Sequence, residues 1–480
     1  MEKKISRRRF LSSAAIAGAG LVEAACAPCA TQAPPQPAPS SAQPTTASGA
    51  APASQAQPTA LPKGKKPVTV SYWMWGGADR YKPRLDAFAR LYPDTASWLT
   101  VDVQSKGQHD AEVYQAFRLG ITAGEVPDIV TANYIGLPEF AAAGQLLDLS
   151  QALAPYTDLT VGAKALASYQ GKFAAIPNQL KPKVWYYRKD MFEKAGIDPS
   201  AVKTYDDYMA AGKKFHQTFP NSYLMNIGPQ PIHYLYDAVL SNWDDVQMSD
   251  KSGNFQISKN PHYVDMLKWF KDWYTSGIAF KTDDFNSDWA QAFADEKICG
   301  SLISDWMDAF LPGYAPKQAG LWGRTLWPEF NRYGSTEGGT VLMIPKGAKN
   351  PEAALEFLTK LYIEPQGAVE IWKLTGTVPM TKAGQDAVSK AIPNMTRPQG
   401  MSDAAWAALP VNYFGKDLMD TSYKAIDLMK IFPYDPKGQA ELDLLRKHTE
   451  AYLAGQETLD GALAGAEADM KAQLGNPWAQ

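Results

Sequence analysis

The acids of this chain are its first candidates for chemistry. Asp244-Asp245 and Asp283-Asp284 are adjacent carboxyls that could trade protons with a substrate, and Asp284-x-Asn286-x-Asp288 has the opening rhythm of a calcium loop. Both patterns stop short. A glycosidase needs two carboxyls about 5 to 9 Å apart across one bond, a separation that sequence neighbours do not define. In the calcium pattern Trp289 stands where the sharp turn requires Gly, and Asp295 stands in for the final Glu. Solvated turns are the default for such acids. Cys26-Ala27-Pro28-Cys29 has redox spacing but follows no strand and opens no helix, while Cys299, in Ile298-Cys299-Gly300, reads as a buried apolar thiol. The sequence contains no G-x-x-x-x-G-K-[ST] loop, no G-x-S-x-G elbow and no H-E-x-x-H helix, and its five His leave few general bases. The expectation is a protein that is not an enzyme, with no catalytic residue, no metal and no cofactor.

The elements that would carry a site alternate between strand and helix. Val68-Thr69-Val70-Ser71-Tyr72-Trp73-Met74 alternates like a strand, Trp75-Gly76-Gly77 is a loop, and Tyr81 to Tyr92 spaces its apolar residues like a helix. Val101 to Gln104 predicts a second strand, Glu112 to Ala123 a helix, and Asp128-Ile129-Val130-Thr131 a third strand. This order implies an α/β sheet, largely parallel, with ligands expected beyond the carboxyl ends of the strands. Further on, Thr204 is placed to cap a helix that packs through Tyr208, Ala211, Gly212 and Phe215, and Asp250 to Asn254 forms a hairpin turn. The 14 Trp and 23 Tyr exceed what a core usually needs, so some are expected to line a surface or cleft, where amphipathic rings suit sugar faces.

Several blocks together carry a resemblance. Gly124-Glu125-Val126-Pro127-Asp128-Ile129-Val130, Leu137-Pro138-Glu139-Phe140-Ala141 and Gly144-Gln145-Leu146-Leu147-Asp148-Leu149 are followed by Gly171-Lys172 through Ile176-Pro177 and by Trp185 to Gly196. Later come Thr204-Tyr205-Asp206-Asp207-Tyr208, Phe293 to Trp306, and Gly338-Gly339 through Ile344-Pro345-Lys346-Gly347 with the helix Pro351 to Tyr362. In this order, over nearly all of residues 67 to 480, they resemble the extracellular solute-binding proteins of carbohydrate ABC transporters, the maltose-binding-protein-like family.

The resemblance implies a two-lobed α/β periplasmic-binding-protein fold, or Venus flytrap, with crossover hinge strands. Lobe one would take 67–177 and 338–395, and lobe two 178–337 and 396–480. It implies a sugar, with an oligosaccharide favoured by the large aromatic loops, held between lobes that close on it and deliver it to the transmembrane subunits of an ABC permease. Its site residues would be Trp75, Gly76 and Asp79 after the first strand, Asn133 and Tyr134 after the third, Gln230 and His233 on the second lobe, Asp305 with Trp306, and Gly338 with Gly339. Trp306 would be the platform under a pyranose ring, and the polar groups would bond sugar hydroxyls. Each has a bland alternative: Trp75 packs a lobe, Asn133 makes a turn, Asp79 caps a helix, His233 is an ordinary core or surface histidine, and the two glycines are a flexible joint. Lys181 lies in the crossover where the best-known maltose binders place an acid, which argues against maltose itself. A tethered sugar sensor and a surface glycoside hydrolase remain as other functions.

The amino terminus sets the compartment. Ser6-Arg7-Arg8-Arg9-Phe10-Leu11, an apolar run to Val22, and Ala24-Ala25 before Cys26 resemble a twin-arginine, lipoprotein-type export signal over residues 1–26, with Cys26 as the lipid attachment site. Glu23 departs from the usual Leu of lipoprotein signals. Residues 27–66 are a disordered tether: from Ala30 to Ala60 every residue is Ala, Pro, Ser, Thr, Gln or Gly, a composition with nothing to bury. At about 3 Å per residue the run from Ala30 to Ala60 would let the body range up to about 90 Å from the membrane. The whole chain has 47 basic and 50 acidic residues; residues 1–25 hold five and two of them, so the mature charge is near −6. That mild acidity without basic clusters argues against nucleic acid as a partner. The expected protein is a monomer outside the cytoplasm, lipid-anchored to the cell membrane.

Overall fold

The structure is a computed structural model that describes residues 65–231, 233–328, 334–335, 338–397 and 401–479. The export signal, Cys26 and most of the tether lie outside the described residues.

Two sheets organise the chain. The first is built from β1 (Val68–Met74), β2 (Leu99–Ser105), β3 (Ile129–Asn133), β4 (Ile176–Gln179) and, much later in sequence, the returning strand Thr340–Met343. The second contains β5 (Lys183–Arg188), β6 (Gly300–Ser304) and β7 (Trp322–Leu326), and the returning strand is therefore β8. The order across the first sheet is β2-β1-β3-β8-β4, with β1 parallel to β2 and β3, and β8 antiparallel to both β3 and β4. In the second sheet β5 lies between β6 and β7 and is antiparallel to both.

The expectation of a largely parallel sheet therefore holds for β1 to β3 and fails elsewhere. The reason is chain path. A strand that re-enters from the neighbouring lobe arrives at the opposite end of the sheet, so β8 must run against β3. The hairpin around Asp250 is also reduced. Asp250 Oδ1 accepts from the amides of Ser252 and Asn254, which fixes the turn, but its arms make only the single bridge Ser249–Phe255.

Local chemistry explains the elements that hold the lobes. In β1 alternate residues Val70, Tyr72 and Met74 are buried. Asp128 ties this strand to its surroundings, accepting from the Ser71 amide and hydroxyl and from the Asn350 amide at 2.6–3.0 Å. Helix α1 (Lys82–Leu91) buries Phe88 edge-on against Phe357, and α2 (Asp110–Ala123) starts with a His109/Glu112 capping box and ends at Gly124, whose φ of +72° suits glycine. In the second lobe α3 (Tyr205–Thr218) is capped by Thr204, whose hydroxyl accepts from the Asp207 amide at 3.1 Å, and it buries Tyr208, Ala211, Gly212 and Phe215. Helix α4 (His233–Leu240) packs on α5 (Pro261–Thr275). Helix α6 (Pro365–Thr375) packs on α1 of the first lobe, α7 (Leu418–Asp427) packs on β7 and β5, and α8 (Gly438–Leu453) packs on α4 and α5.

The lobes are joined where β4 passes into β5 through Leu180-Lys181-Pro182 and where the chain returns through Gly338-Gly339 into β8. Both glycines have positive φ, +110° and +122°, and a Cβ at Gly339 would sit 3.1 Å from the Gln179 carbonyl oxygen. Only glycine lets the two crossing segments approach this closely without strain. Among the described residues no helix is long and apolar enough to cross a membrane.

Candidate functional site

Among the described residues, two openings between the lobes stand out. The smaller is a narrow cavity of about 40 Å³. Lys181, Asp305, Trp306 and Asp308 line it from the second-lobe side, and Trp372, Thr375 and Gly376 at the end of α6 line it from the other. Asp305 and Trp306 occupy the short 3-10 turn Asp305–Ala309 that follows β6, so the strand delivers them to the sheet edge. The Asp305 amide donates to the Pro182 carbonyl at 3.0 Å, which pins this turn to the crossover. Trp306 is half-buried and stacks on Phe285 with ring centroids 5.2 Å apart. Phe285 holds a φ of +61°, uncommon for a bulky residue, so local backbone strain supports the placement of Trp306.

The carboxyls of this cavity differ. Asp308 accepts from the Tyr186 hydroxyl and from Arg324 Nη1, each at 2.7 Å, and Arg324 also donates to the Leu418 carbonyl. Asp305 is only 5% exposed; its Oδ2 accepts from the Ser422 hydroxyl at 3.0 Å, but its Oδ1 has no hydrogen-bond partner. Burial pushes the Asp305 carboxyl up to about 7, against the pull of the nearby Lys181 charge.

The larger opening is a groove lined by Asp110, Tyr114, Arg118, Gly136 and Glu139 from the first lobe and by Lys437, Gln439, Asp443 and Trp478 from the carboxyl-terminal segments. Burial raises both Asp110 and Asp443, and the charge of Asp110 raises Asp443 further, so like charges confront each other here. At the residues adjoining the groove the lobes touch. Tyr134, directly after β3, donates its hydroxyl to Asp237 Oδ2 on α4, and Tyr434 donates to Oδ1 of the same carboxylate.

Of the residues singled out in the sequence, the structure brings Asp305, Trp306 and Lys181 to one cavity and Tyr134 to the lobe contact. A side chain at Gly338 would meet Lys181 and Tyr234 at 3.9 and 4.0 Å. Trp75 is half-buried against the core, Gly76 donates to the Gly107 carbonyl at 2.8 Å, and Asp79 is exposed in a 3-10 turn; none of them lines either opening. Asn133 is committed internally: its Nδ2 donates to Asp110, its Oδ1 accepts from the Gly136 amide, and its own amide donates to Tyr114. Gln230 binds Glu450 through its side chain and Asp283 through its amide, and His233 is the first residue of α4. The calcium-like acids serve structure: Asn286 caps the helix Ser287–Ala294 and Asp284 accepts from Asn226 at 3.1 Å. Burial pushes the Cys299 thiol up to about 12, which keeps it protonated and inert.

Sequence reasoning missed Asp237, Tyr434 and Trp372. Asp237 had a signal, being the single acid within the otherwise largely apolar helix His233-Tyr234-Leu235-Tyr236-Asp237-Ala238-Val239-Leu240. Tyr434 and Trp372 had none, since each reaches its site from more than sixty residues away.

The family model of the bacterial extracellular solute-binding proteins matches residues 86–397. The chain belongs to this family. An arabinooligosaccharide-binding protein of Bacillus subtilis is 24% identical over 323 residues, spanning 65% of this chain and 73% of that protein. Among solved structures, the ABC-transporter-associated binding protein of B. animalis subsp. lactis, in complex with β-1,6-galactobiose, superposes with a TM-score of 0.63 at 21% identity, covering 84% of this chain and 97% of that one. The sugar-binding protein MalE of Xanthomonas citri gives 0.67 at 18% identity over the same shares. These structures share the two-lobed fold, so the solute-binding protein described here is built on the same plan: two α/β lobes, a double crossover, and a space between them.

Proposed function

We propose that this solute-binding protein is the extracytoplasmic receptor of an ABC importer and binds a sugar between its lobes. The observation that carries this reading is the buried, unpartnered Oδ1 of Asp305 beside Trp306, both lining a cavity between the lobes. A buried carboxylate oxygen without a donor costs free energy, on the order of 1–3 kcal/mol, unless something else supplies the hydrogen bond. A sugar hydroxyl supplies it. The same hydroxyl, or its neighbour on the ring, can accept from the Lys181 ammonium, while Trp306 takes the C–H face of the pyranose. Ligand touching both Asp305 on one side and the α6 terminus on the other stabilises the closed arrangement of the lobes, because contacts to both exist only there.

The names of the relatives point the same way, since they bind arabinooligosaccharides and galactobiose. No step of covalent chemistry is needed, and the protein acts by binding alone. Cys26 carries the lipid that holds it at the membrane, with residues 27–66 as tether. A calorimetric titration of the purified protein with arabino- and galacto-oligosaccharides tests the reading. Saturable binding that weakens in Trp306→Ala and Asp305→Asn is expected; hydrolysis of the titrated glycan, or binding untouched by both substitutions, would refute it. Metabolic labelling with a fatty acid, abolished in Cys26→Ser, tests the anchor.

A further inference from the structure

We propose that Tyr134, Asp237 and Tyr434 form a latch between the lobes, one that draws them together without ligand and makes closure depend on pH. The geometry is specific. Asp237 is 1% exposed, and each oxygen of its carboxyl receives one tyrosine hydroxyl: Tyr134 from the first lobe and Tyr434 from the segment leading into α8. The three rings around it, Tyr134, Tyr234 and Tyr434, lie with centroids 6.1–6.4 Å apart along Tyr234–Tyr134–Tyr434 and shield the carboxyl from water.

Both halves of the latch are held in place before they meet. On the first lobe, Asn133 bonds Asp110, Tyr114 and Gly136, which fixes the turn that presents Tyr134. On the second lobe, Lys183 at the start of β5 donates to the Ala238 carbonyl and to Asn242 Oδ1, which fastens α4 to the crossover strand. Opening the lobes removes Tyr134 and lets water reach Asp237. Closing them restores the Tyr134 hydroxyl but strips the hydration shell, and a buried carboxylate tolerates that poorly when its donors are neutral.

The groups facing Asp237 support a proton-linked contact. Among the described side chains they include Tyr134 from the β3 loop, Tyr434 before α8 and Tyr263 on α5, with Tyr234 against the Tyr134 ring and Asp435 and Glu441 beyond Tyr263. Lys183 directs its ammonium to the Ala238 carbonyl and over the Trp327 ring. Desolvation raises Asp237 to about 7, and the two tyrosine bonds lower it only in part. The sign follows. In the open form the carboxyl is hydrated and titrates near its ordinary value, whereas in the closed form it titrates near 7, so closing takes up a proton between about pH 4 and 7. Closure is favoured as pH falls through that window and weakens as pH rises through 7.

The test needs no ligand, so it stands apart from the question of which solute is bound. The distance between lobes is followed in the ligand-free protein by small-angle X-ray scattering and by a dye pair placed on α1 and α3, between pH 5 and 8. In the wild type the closed-to-open ratio should fall by up to about tenfold per pH unit between 5 and 7. Asp237→Asn, isosteric and uncharged, should flatten that dependence and stay closed, and Tyr134→Phe should shift the ratio toward open at every pH; near-ultraviolet circular dichroism confirms that each variant is folded. A wild-type distance that does not change with pH, or a dependence as steep in Asp237→Asn as in the wild type, overturns the proposal.

Discussion

Asp237 and Asp305 make a matched pair that the protein uses in opposite ways. Both are buried carboxyls on the second lobe facing the first, and burial pushes both to about 7. Asp237 has a donor on each oxygen, one of them from across the cleft. Asp305 has a donor on one oxygen and nothing on the other. A completed set of hydrogen bonds makes a contact between lobes; an incomplete set keeps a place for something that is not protein. Asp308, three residues beyond Asp305, supplies the control, because its charge is answered by Arg324 within the same lobe.

The largest effect should come from breaking that control. Arg324 is a guanidinium whose side chain is 3% exposed, and replacing it by Met leaves Asp308 buried without its cation. Unpairing a buried charge costs about 3–5 kcal/mol. Chemical denaturation of Arg324→Met should show a loss of that size, with any loss of sugar binding secondary to it. A loss below about 1 kcal/mol would mean that Asp308 is answered by another group, and the contrast with Asp305 would weaken.

Trp306→Ala comes next and should act on affinity more than on stability. The ring is half-buried and stacked on Phe285, so its removal takes away the platform while the fold of β6 remains. Truncating an aromatic anchor costs about 2 kcal/mol or more, roughly 30-fold in Kd. Calorimetry on wild type and variant measures it directly, and an unchanged Kd would place the sugar elsewhere, with the Asp110–Asp443 groove as the next candidate.

Asp305→Asn should move stability and affinity in opposite directions. Losing a charge-assisted bond to a sugar hydroxyl costs about 1.5 kcal/mol, roughly tenfold in Kd. The ligand-free variant, relieved of a buried carboxylate, should melt at a higher temperature than the wild type near pH 8. The sign is fixed by the raised pKa: between the ordinary carboxylate value and about 7 the folded state binds more protons than the unfolded, so wild-type stability from this group falls as pH rises through that window. The gap between the melting curves should therefore be small at pH 4.5 and wide at pH 8. A gap independent of pH would show that Asp305 is not the group being relieved.

How much of this pair the sequence announced depends on how far each contact reaches. Local patterns gave the elements well: β1 by its alternation, α2 and β3 on either side of Gly124-Glu125-Val126-Pro127, and α3 by the Thr204 cap. Asp305 and Trp306 were legible because they close one continuous block that begins at Phe293. Asp237 was not, since its meaning comes from Tyr134 and Tyr434, 103 and 197 residues away, which only the folded chain brings to it. The same limit explains the strand directions. β8 falls inside the Gly338-to-Gly347 block, but that it runs antiparallel follows from a double crossover that no local pattern records.

The smallest predicted effect separates fold from function. Thr204→Ala removes one side-chain cap at the start of α3, where the Asp207 amide would lose its acceptor. Such a cap contributes about 1 kcal/mol. Denaturation should show that loss while Kd for the sugar and the pH dependence of lobe closure stay at their wild-type values. Because α3 packs behind β5 through Tyr208 and Trp185, rings 5.5 Å apart, a change in either value would mean that the rigidity of this lobe, and not the two carboxyls alone, sets how the cleft closes.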